Sequence, residues 1–218
     1  MAALFSKRLV FLATAAALLV GVIATTWFNQ NDQAQEIDHL RSALATAYLD
    51  WGNDLARLRS LEDAAEKFRE ATLVAPDYPE AWMNWGNALV ELGRLEYALD
   101  KYARAAELRP GYPRALTNWG NALVVLGRDN EAIERFRQAL DHQADNPSAL
   151  IGWGNALVMQ QRFEEALPKY REAARLAPED PDAYRNWSIV LRQLGQPREA
   201  EDKMAQALRL KRRAEQRR

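Results

Sequence analysis

Hydrophobic and polar positions along most of this chain follow a pattern that returns every 34 residues. The triplet Trp-Gly-Asn occurs four times at this spacing, and a Trp-Ser pair stands one step further on. The tryptophans are Trp51, Trp85, Trp119, Trp153 and Trp187. With each tryptophan counted as repeat position 7, five repeats follow one another without insertion or deletion. They span 45–78, 79–112, 113–146, 147–180 and 181–214. A period of this length is the signature of a stacked-repeat architecture.

Each repeat contains two segments in which apolar residues recur at the spacing of an amphipathic helix. In the second repeat these residues are Trp82, Trp85, Leu89 and Leu92, then Leu95, Ala98, Leu99, Tyr102 and Ala105. A glycine that favours a left-handed turn stands between the segments at Gly93, Gly127 and Gly195. The pattern therefore predicts five helical hairpins. Each indole can bury about 150–250 Å² against the small residues at positions 8, 20 and 27.

Several repeat positions hold one kind of residue throughout. Positions 20 and 27 are alanine in all five repeats, and position 8 is glycine in four. Position 24 holds Phe68, Tyr102, Phe136, Tyr170 and Met204. Together with proline at position 32 in three repeats, this order resembles the tetratricopeptide repeat. Two departures are tryptophan in place of the usual leucine at position 7 and leucine in place of the usual tyrosine at position 11.

The resemblance covers residues 45–214 and implies an all-α fold, a right-handed α-solenoid of five helix-turn-helix repeats. It also implies that the first helices line a concave face through positions 2, 5, 6, 9, 12 and 13. Amides at positions 6 and 9 can donate and accept hydrogen bonds, so a row of them can pair with the backbone of an extended peptide. They are Asn53, Asn84, Asn87, Asn118, Asn121 and Asn155. This row is similar to the asparagine ladder of superhelical tetratricopeptide proteins. The alternative is that the position-9 asparagine bonds within the scaffold.

Apolar residues at positions 5, 12 and 13 predict a groove for an amphipathic helix or for apolar side chains of a partner. They are Leu49, Met83, Val90, Val124, Val125, Ile151, Val158 and Met159. Tetratricopeptide proteins that hold acidic chaperone tails use Lys or Arg at several concave-face positions. Position 5 holds only one such residue here, Arg185. We therefore expect no binding of such carboxylate tails.

The first 28 residues form the predicted membrane-targeting segment. Residues 9–28 carry no charge, and as a helix they would rise about 30 Å, the thickness of a bilayer's hydrocarbon core. Lys7 and Arg8 precede this stretch, and the next cation is Arg41. The positive-inside rule then places the N-terminus in the cytoplasm and the repeats on the far side.

This segment predicts a transmembrane anchor in a bacterial inner membrane, with the repeats on the periplasmic side. A cleaved signal peptide is the alternative, since residues 22–24 approximate a small-x-small cleavage pattern. That alternative makes the protein secreted or periplasmic. A buried core helix is a third interpretation, and a reversed anchor would turn the repeats toward the cytoplasm.

The two ends of the repeat array have their own predicted features. Residues 29–44 are interpreted as a polar linker and a short capping helix, because Ile37, Leu40 and Leu44 have helical spacing. At position 21 the fifth repeat has Glu201 where the others are apolar, which suits a terminal hairpin. Residues 215–218 form a basic tail that either solvates the helix end or docks elsewhere.

Composition argues against several classes of function. The net charge is -1, so no basic field attracts nucleic acid, and we expect no nucleic-acid partner. The chain has no cysteine and two histidines, His39 and His142, and its acidic residues do not recur at metal-ligand spacing. We therefore expect no enzyme activity, no metal site and no other cofactor.

The predicted function is an interaction scaffold or assembly factor that binds a protein or peptide client in the groove at a membrane surface. The alternative is a structural protein that self-associates into a homo-oligomeric coat or platform.

Overall fold

The computed structural model describes residues 30–217, and within that range the chain forms ten α-helices and no β-strand. The helices are α1 (Gln30–Arg57), α2 (Leu61–Val74), α3 (Pro79–Glu91), α4 (Leu95–Leu108), α5 (Pro113–Val125), α6 (Asp129–His142), α7 (Pro147–Met159), α8 (Phe163–Leu176), α9 (Pro181–Gln193) and α10 (Pro197–Gln216). Each predicted repeat holds a first and a second helix, so the all-α hairpin arrangement is confirmed.

Proline begins five of these helices. Pro79, Pro113, Pro147 and Pro181 start first helices at repeat position 1, and Pro197 starts α10. Proline suits this place because its fixed φ is helical and because the first turn leaves its backbone N–H groups unbonded in any case. The repeat boundaries drawn from the tryptophan spacing thus coincide with helix starts.

Within each hairpin, the turn passes through left-handed backbone at repeat position 15. Gly93, Gly127 and Gly195 have φ of 73°, 71° and 72° there, which confirms the predicted role of these glycines. Arg59 and Gln161 take the same conformation, with φ of 62° and 59°.

The described helices divide into two compact units, one that ends at Leu108 (unit 1) and one that begins at Arg109 (unit 2). In unit 1, α1 to α4 pack in chain order, and α1 also contacts α3. In unit 2, α5 to α10 pack in chain order, and the first helices α5, α7 and α9 also contact one another in sequence. Hairpins therefore stack side by side within each unit.

A glycine on the first helix faces an aromatic ring on the second helix in four repeats. A Cβ atom at Gly86 would lie 2.7 Å from the Tyr102 ring, and one at Gly120 would lie 2.6 Å from the Phe136 ring. These separations are shorter than real Cβ contacts, so only glycine permits this packing. In the fifth repeat, serine replaces the glycine and methionine replaces the ring.

The N-terminal helix departs from expectation. A polar linker and a short capping helix joined to the first repeat were predicted over residues 29–44, but no linker interrupts α1, which runs unbroken from Gln30 to Arg57. No glycine or proline occurs between residues 30 and 51, so nothing in the sequence interrupts the helix. The predicted membrane segment over residues 1–28 lies outside the described residues. Among the helices that are described, none is long and apolar enough to cross a membrane.

The C-terminal helix α10 extends to Gln216, so the first two residues of the predicted basic tail are helical. Glu201 is exposed on this helix, and Leu208 is 51% exposed.

Candidate functional site

The candidate site is the surface of the first helices that carries repeat positions 2, 5, 6, 9, 12 and 13, called here the first-helix face. Unit 1 contributes α1 and α3, which contact each other. Unit 2 contributes α5, α7 and α9, with α7 in contact with both of the others. Side chains of neighbouring repeats therefore meet along this face within each unit.

In unit 2, Asn155 at position 9 of α7 is bonded within the scaffold. The Tyr170 hydroxyl donates to Asn155 Oδ1 at 2.7 Å, and Nδ2 of Asn186 donates to the same oxygen at 3.0 Å. Burial raises the pKa of Tyr170, so its hydroxyl keeps the proton that it donates. Two donors occupy both lone pairs of the carbonyl oxygen. Asn155 therefore offers a partner only its Nδ2 hydrogens.

Unit 1 shows the same kind of bonding. Nδ2 of Asn84 donates to Asn53 Oδ1 at 3.0 Å, and the Tyr102 hydroxyl donates to Asn87 Oδ1 at 2.8 Å. The sequence left open that the position-9 asparagines bond within the scaffold. Asn53, Asn87 and Asn155 do so through their carbonyl oxygens. Of the two amides of the row that lie in α5, Asn118 is half-buried and Asn121 is exposed.

Asn121 is the exception to this bonding in unit 2. Its side chain has no hydrogen-bond partner among residues 30–217. Where Asn155 has Tyr170 and Asn186 as donors, the equivalent positions for Asn121 hold Phe136 and Gly152. Neither residue carries a side-chain donor, so both the carbonyl oxygen and the amino group of Asn121 remain unbonded in this part of the chain.

The apolar residues of the face differ in exposure. Val125 and Met159, the last residues of α5 and α7, are 69% and 64% exposed. The half-buried members are Val90, Val124, Ile151 and Val158. On α9, Ile189 is 44% exposed at position 9, where other repeats carry asparagine. Unit 2 therefore presents apolar side chains on all three of its first helices.

Two predicted groove residues need correction. Leu49 is 8% exposed and Met83 is 1% exposed, so their side chains lie in the protein interior and cannot contact a partner. Both occupy repeat position 5, where Thr117 is also buried, at 4% exposure. In unit 2, Thr117 Oγ1 accepts a hydrogen bond of 3.3 Å from Nδ2 of Asn146, at the start of α7. In the first three repeats position 5 is thus directed at neighbouring helices, whereas at the same position Ile151 is half-buried and Arg185 is exposed.

Equivalent positions in unit 1 carry charge. Arg57 and Glu91 end α1 and α3 at position 13, and Glu91 forms an ion pair with Arg59. Asp50 is exposed at position 6. The exposed side chains Asp50, Arg57 and Glu91 therefore make the first-helix face of unit 1 polar.

Neither histidine belongs to a candidate chemical centre. His39 and His142 are exposed, and the His142 imidazole lies against Gly111. Within residues 30–217, no three His, Asp or Glu side chains are grouped so that they could hold a metal ion.

The tetratricopeptide repeat family is matched over residues 49–113 and 117–181, more than half of the chain. The chain belongs to the tetratricopeptide repeat family. No curated protein matches the sequence.

Solved tetratricopeptide-like structures share the fold. MamA from Desulfovibrio magneticus RS-1, from residue 41 to its end, superposes with a TM-score of 0.68 at 20% identity, over 77% of this chain and 95% of MamA. TTC0263 from Thermus thermophilus superposes with a TM-score of 0.66 at 19% identity, over 76% of this chain and 91% of TTC0263. YrrB, a TPR protein with an unusual peptide-binding site, superposes with a TM-score of 0.59 at 20% identity, over 76% of this chain and 86% of YrrB. Identities this low establish the shared fold alone.

One column of this tetratricopeptide array was missed by the sequence analysis. Position 23 is Lys or Arg in all five repeats, and each cation lies over the ring of the position-7 tryptophan in its own hairpin. The distances to the ring centroids are 4.3 Å for Lys67–Trp51, 4.4 Å for Lys101–Trp85, 4.2 Å for Arg135–Trp119, 3.6 Å for Lys169–Trp153 and 4.2 Å for Lys203–Trp187.

The tryptophans are half-buried, although the sequence predicted extensive burial of every indole. The aliphatic stem of each cation covers the ring face while the charge is attracted to the ring's electrons. Burial also lowers the pKa of Lys169, the cation that lies nearest to its ring. The 34-residue recurrence of a cation at position 23 was the signal that could have revealed this pairing.

Proposed function

We propose that the protein is an interaction scaffold that binds a segment of a partner protein on the first-helix face of unit 2. The observation that carries this proposal is the exposure of Val125, Met159 and Ile189, at 69%, 64% and 44%, on three helices that contact in sequence. Exposed apolar side chains that cluster on one face are a mark of interaction sites. The peptide-binding site in the description of YrrB, a structure of the same fold, supports this use of the scaffold.

The proposal is tested by removing the apolar character of the face. In the double variant Val125→Asp and Met159→Asp, two charges replace the two most exposed apolar side chains of the face. We expect partner proteins, crosslinked in the cells of origin and quantified by mass spectrometry, to fall by about tenfold or more. The matched control is Leu73→Asp, which places a charge on α2, where the leucine is 67% exposed. Equal recovery from both variants would contradict the proposal.

We also propose that residues 1–28 anchor the protein in a bacterial inner membrane with the repeats on the periplasmic side. The uncharged stretch 9–28 and the preceding Lys7 and Arg8 support this orientation. A cleaved signal peptide and a cytoplasm-facing array are the alternatives. A reporter fused after Arg218 that is active only in the periplasm decides orientation, and the mass of the mature chain decides cleavage.

Self-association is a second candidate function, favoured by one observation at the end of the array. Leu208 at repeat position 28 is 51% exposed, whereas Thr72 and Ala174 at the same position are 4% exposed. A further hairpin, including one from a second copy, would cover Leu208. Light scattering on residues 29–218 tests this idea: a discrete large oligomer that Leu208→Asp dissociates would support it, and a monomer would contradict it.

A further inference from the structure

We propose that the last turns of α10 dock onto a membrane surface of anionic phospholipids through Arg209, Arg212 and Arg213, called here the arginine face. This inference goes beyond the proposed function, because the arginine face lies on a second helix, apart from the first-helix face of unit 2. It adds a second membrane contact to the anchor proposed for residues 1–28.

The helix that carries the arginine face is longer than the other second helices. All five begin at repeat position 17, but α10 spans 20 residues, whereas α2, α4, α6 and α8 each span 14. The additional residues, 211–216, extend α10 by about 9 Å beyond the length that the other hairpins use. Every residue from Lys211 to Arg217 is exposed, so no described part of the chain covers this extension.

The three arginines lie on one side of α10. Arg212 and Arg213 follow Arg209 by three and four residues, the spacing at which side chains are neighbours on a helix. At about 100° per residue, the buried Ala207 lies nearly opposite the middle of this set. The arginine face therefore points away from the hairpin, and all three of its side chains are exposed.

The arginine face has no acidic partner among residues 30–217. Elsewhere on the second helices, three arginines each pair with a glutamate three residues before them. The nitrogen–oxygen distances are 2.5 Å for Arg69–Glu66, 2.9 Å for Arg137–Glu134 and 2.6 Å for Arg175–Glu172. The residues three places before the arginine face are Gln206, Arg209 and Leu210, which offer no carboxylate. Its guanidinium groups are therefore available to an external anion.

This charge exceeds what the end of a helix requires. A cation near a helix C-terminus is favourable, yet α2 and α4 end without one and the last turn of α8 has Arg175 alone. Like charges three and four residues apart destabilise a helix, and Glu215 is the one acidic residue between positions 203 and 217. The arginine face therefore repels itself in water, and an anionic surface that binds it removes the repulsion.

The chemistry of the extension favours a lipid surface over a protein partner. The guanidinium fork donates two parallel hydrogen bonds to phosphate oxygens, which phospholipid headgroups present in large number. A projecting helix can contact such a broad surface without a groove. Protein interfaces also bury apolar side chains at their centre, whereas Ala214 is the one apolar residue from 211 to 217. Two membrane contacts also hold a protein more firmly than one.

The test uses one fluorescent probe on the full chain. Since the chain has no cysteine, the variant Gln216→Cys carries a polarity-sensitive fluorophore at a single exposed site beside the arginine face. The labelled chain is reconstituted into vesicles of phosphatidylcholine alone, or with about one third phosphatidylglycerol. We expect the emission to rise and shift to shorter wavelength only with phosphatidylglycerol. High salt should reverse this change, because it screens the attraction between the arginines and the lipid.

A triple variant measures the contribution of the arginine face. Changing Arg209, Arg212 and Arg213 to glutamine should lower the ratio of docked to undocked forms about a hundredfold, at about fivefold for each arginine. The matched control changes three other exposed arginines to glutamine and should alter the ratio less than about twofold. These are Arg94, Arg192 and Arg198. Circular dichroism checks that both variants fold, since glutamine is a good helix former.

The inference is overturned if the probe responds equally to neutral and anionic vesicles, if it responds to neither, or if the two triple variants weaken docking equally. A response to soluble polyglutamate or to DNA, with none to vesicles, would assign the arginine face to another polyanion and overturn the lipid proposal. Partner capture through Val125 and Met159 is measured separately, so the proposed function can stand or fall without this inference.

Discussion

The two units use the same scaffold to present different surfaces. At repeat position 13, the end of each first helix, unit 1 has Arg57 and Glu91, whereas unit 2 has Val125 and Met159. Beneath these positions the two units are built alike, with glycine against an aromatic ring and a cation over each tryptophan. The difference therefore lies in the exposed residues, which can change without disturbing the packing of a repeat.

A second difference lies in the asparagine row. In unit 1, Asn84 covers the Asn53 carbonyl, whereas in unit 2 Gly152 leaves Asn121 uncovered. One substitution inside a repeating pattern thus leaves one amide of the row without a hydrogen-bond partner among the described residues. In a repeat protein, then, departures from the pattern point to function more directly than the pattern does.

The largest expected effect comes from removing the fully buried Phe136 ring of unit 2. Phe136→Ala should lower the free energy of unfolding by about 3–5 kcal/mol, because a fully buried phenylalanine leaves a cavity. Chemical denaturation followed by circular dichroism measures the loss, and hydrogen exchange assigns it to unit 2. Adding Gly152→Ala should recover part of the loss, since the new methyl group enters the space of the ring. A loss below about 1 kcal/mol would contradict the packing of Phe136 between Gly120 and Gly152.

An exchange of position 6 between the units should have a smaller effect. Gly152→Asn should cost about 1–3 kcal/mol of folding stability through overpacking against Phe136. The reverse change in unit 1, Asn84→Gly, should cost about 1–2 kcal/mol, from the lost bond to Asn53 and from glycine within a helix. Thermal or chemical denaturation measures both variants. If Gly152→Asn left the stability unchanged, the close packing of Gly152 against the Phe136 ring would be contradicted.

Lowering the pH should destabilise the fold of unit 2 more than that of unit 1. This is the smallest of the expected effects. Hydrogen bonds from Arg128, Arg162 and Arg175 lower the pKa of Glu131, Glu165 and Glu172 in unit 2. In unit 1, a hydrogen bond from Arg69 lowers the pKa of Glu66 in the same way.

A carboxylate with a depressed pKa stabilises the folded state above its unfolded pKa of about 4.5, and that contribution is lost as the pH falls through the folded value. Hydrogen exchange measured between pH 6 and pH 3 should show unit 2 losing protection first. The effect should shrink in high salt, because these pairs are exposed. Earlier loss of protection in unit 1 would contradict this order.

Sequence reasoning predicted the hairpins because their causes are local and recur. Tryptophan spacing set the register, and glycines at position 15 marked the turns. It did not predict which way position 5 faces, so Leu49 and Met83 were assigned to the groove although the helix contacts bury them. It also assigned a polar linker and only a short capping helix to residues 29–44, although α1 is continuous from Gln30.

The candidate site was predictable only in part. The amides and aliphatics of unit 2 could be named from the resemblance, but their bonding could not, because it depends on distances between different repeats. Asn155 and Asn121 look equivalent in the sequence, and only the donors around them separate the two. The change at Gly152 was visible in the sequence, but its meaning required the position of the Phe136 ring.

The most direct test of the account compares equivalent positions in the two units. A photo-crosslinking amino acid is placed singly at Glu91, Val125 and Met159, all at repeat position 13, and crosslinked partners are counted in the cells of origin. We expect discrete adducts from Val125 and Met159 and none above background from Glu91. Adducts of equal yield from all three positions, or from Glu91 alone, would contradict the claim that unit 2 is the binding surface.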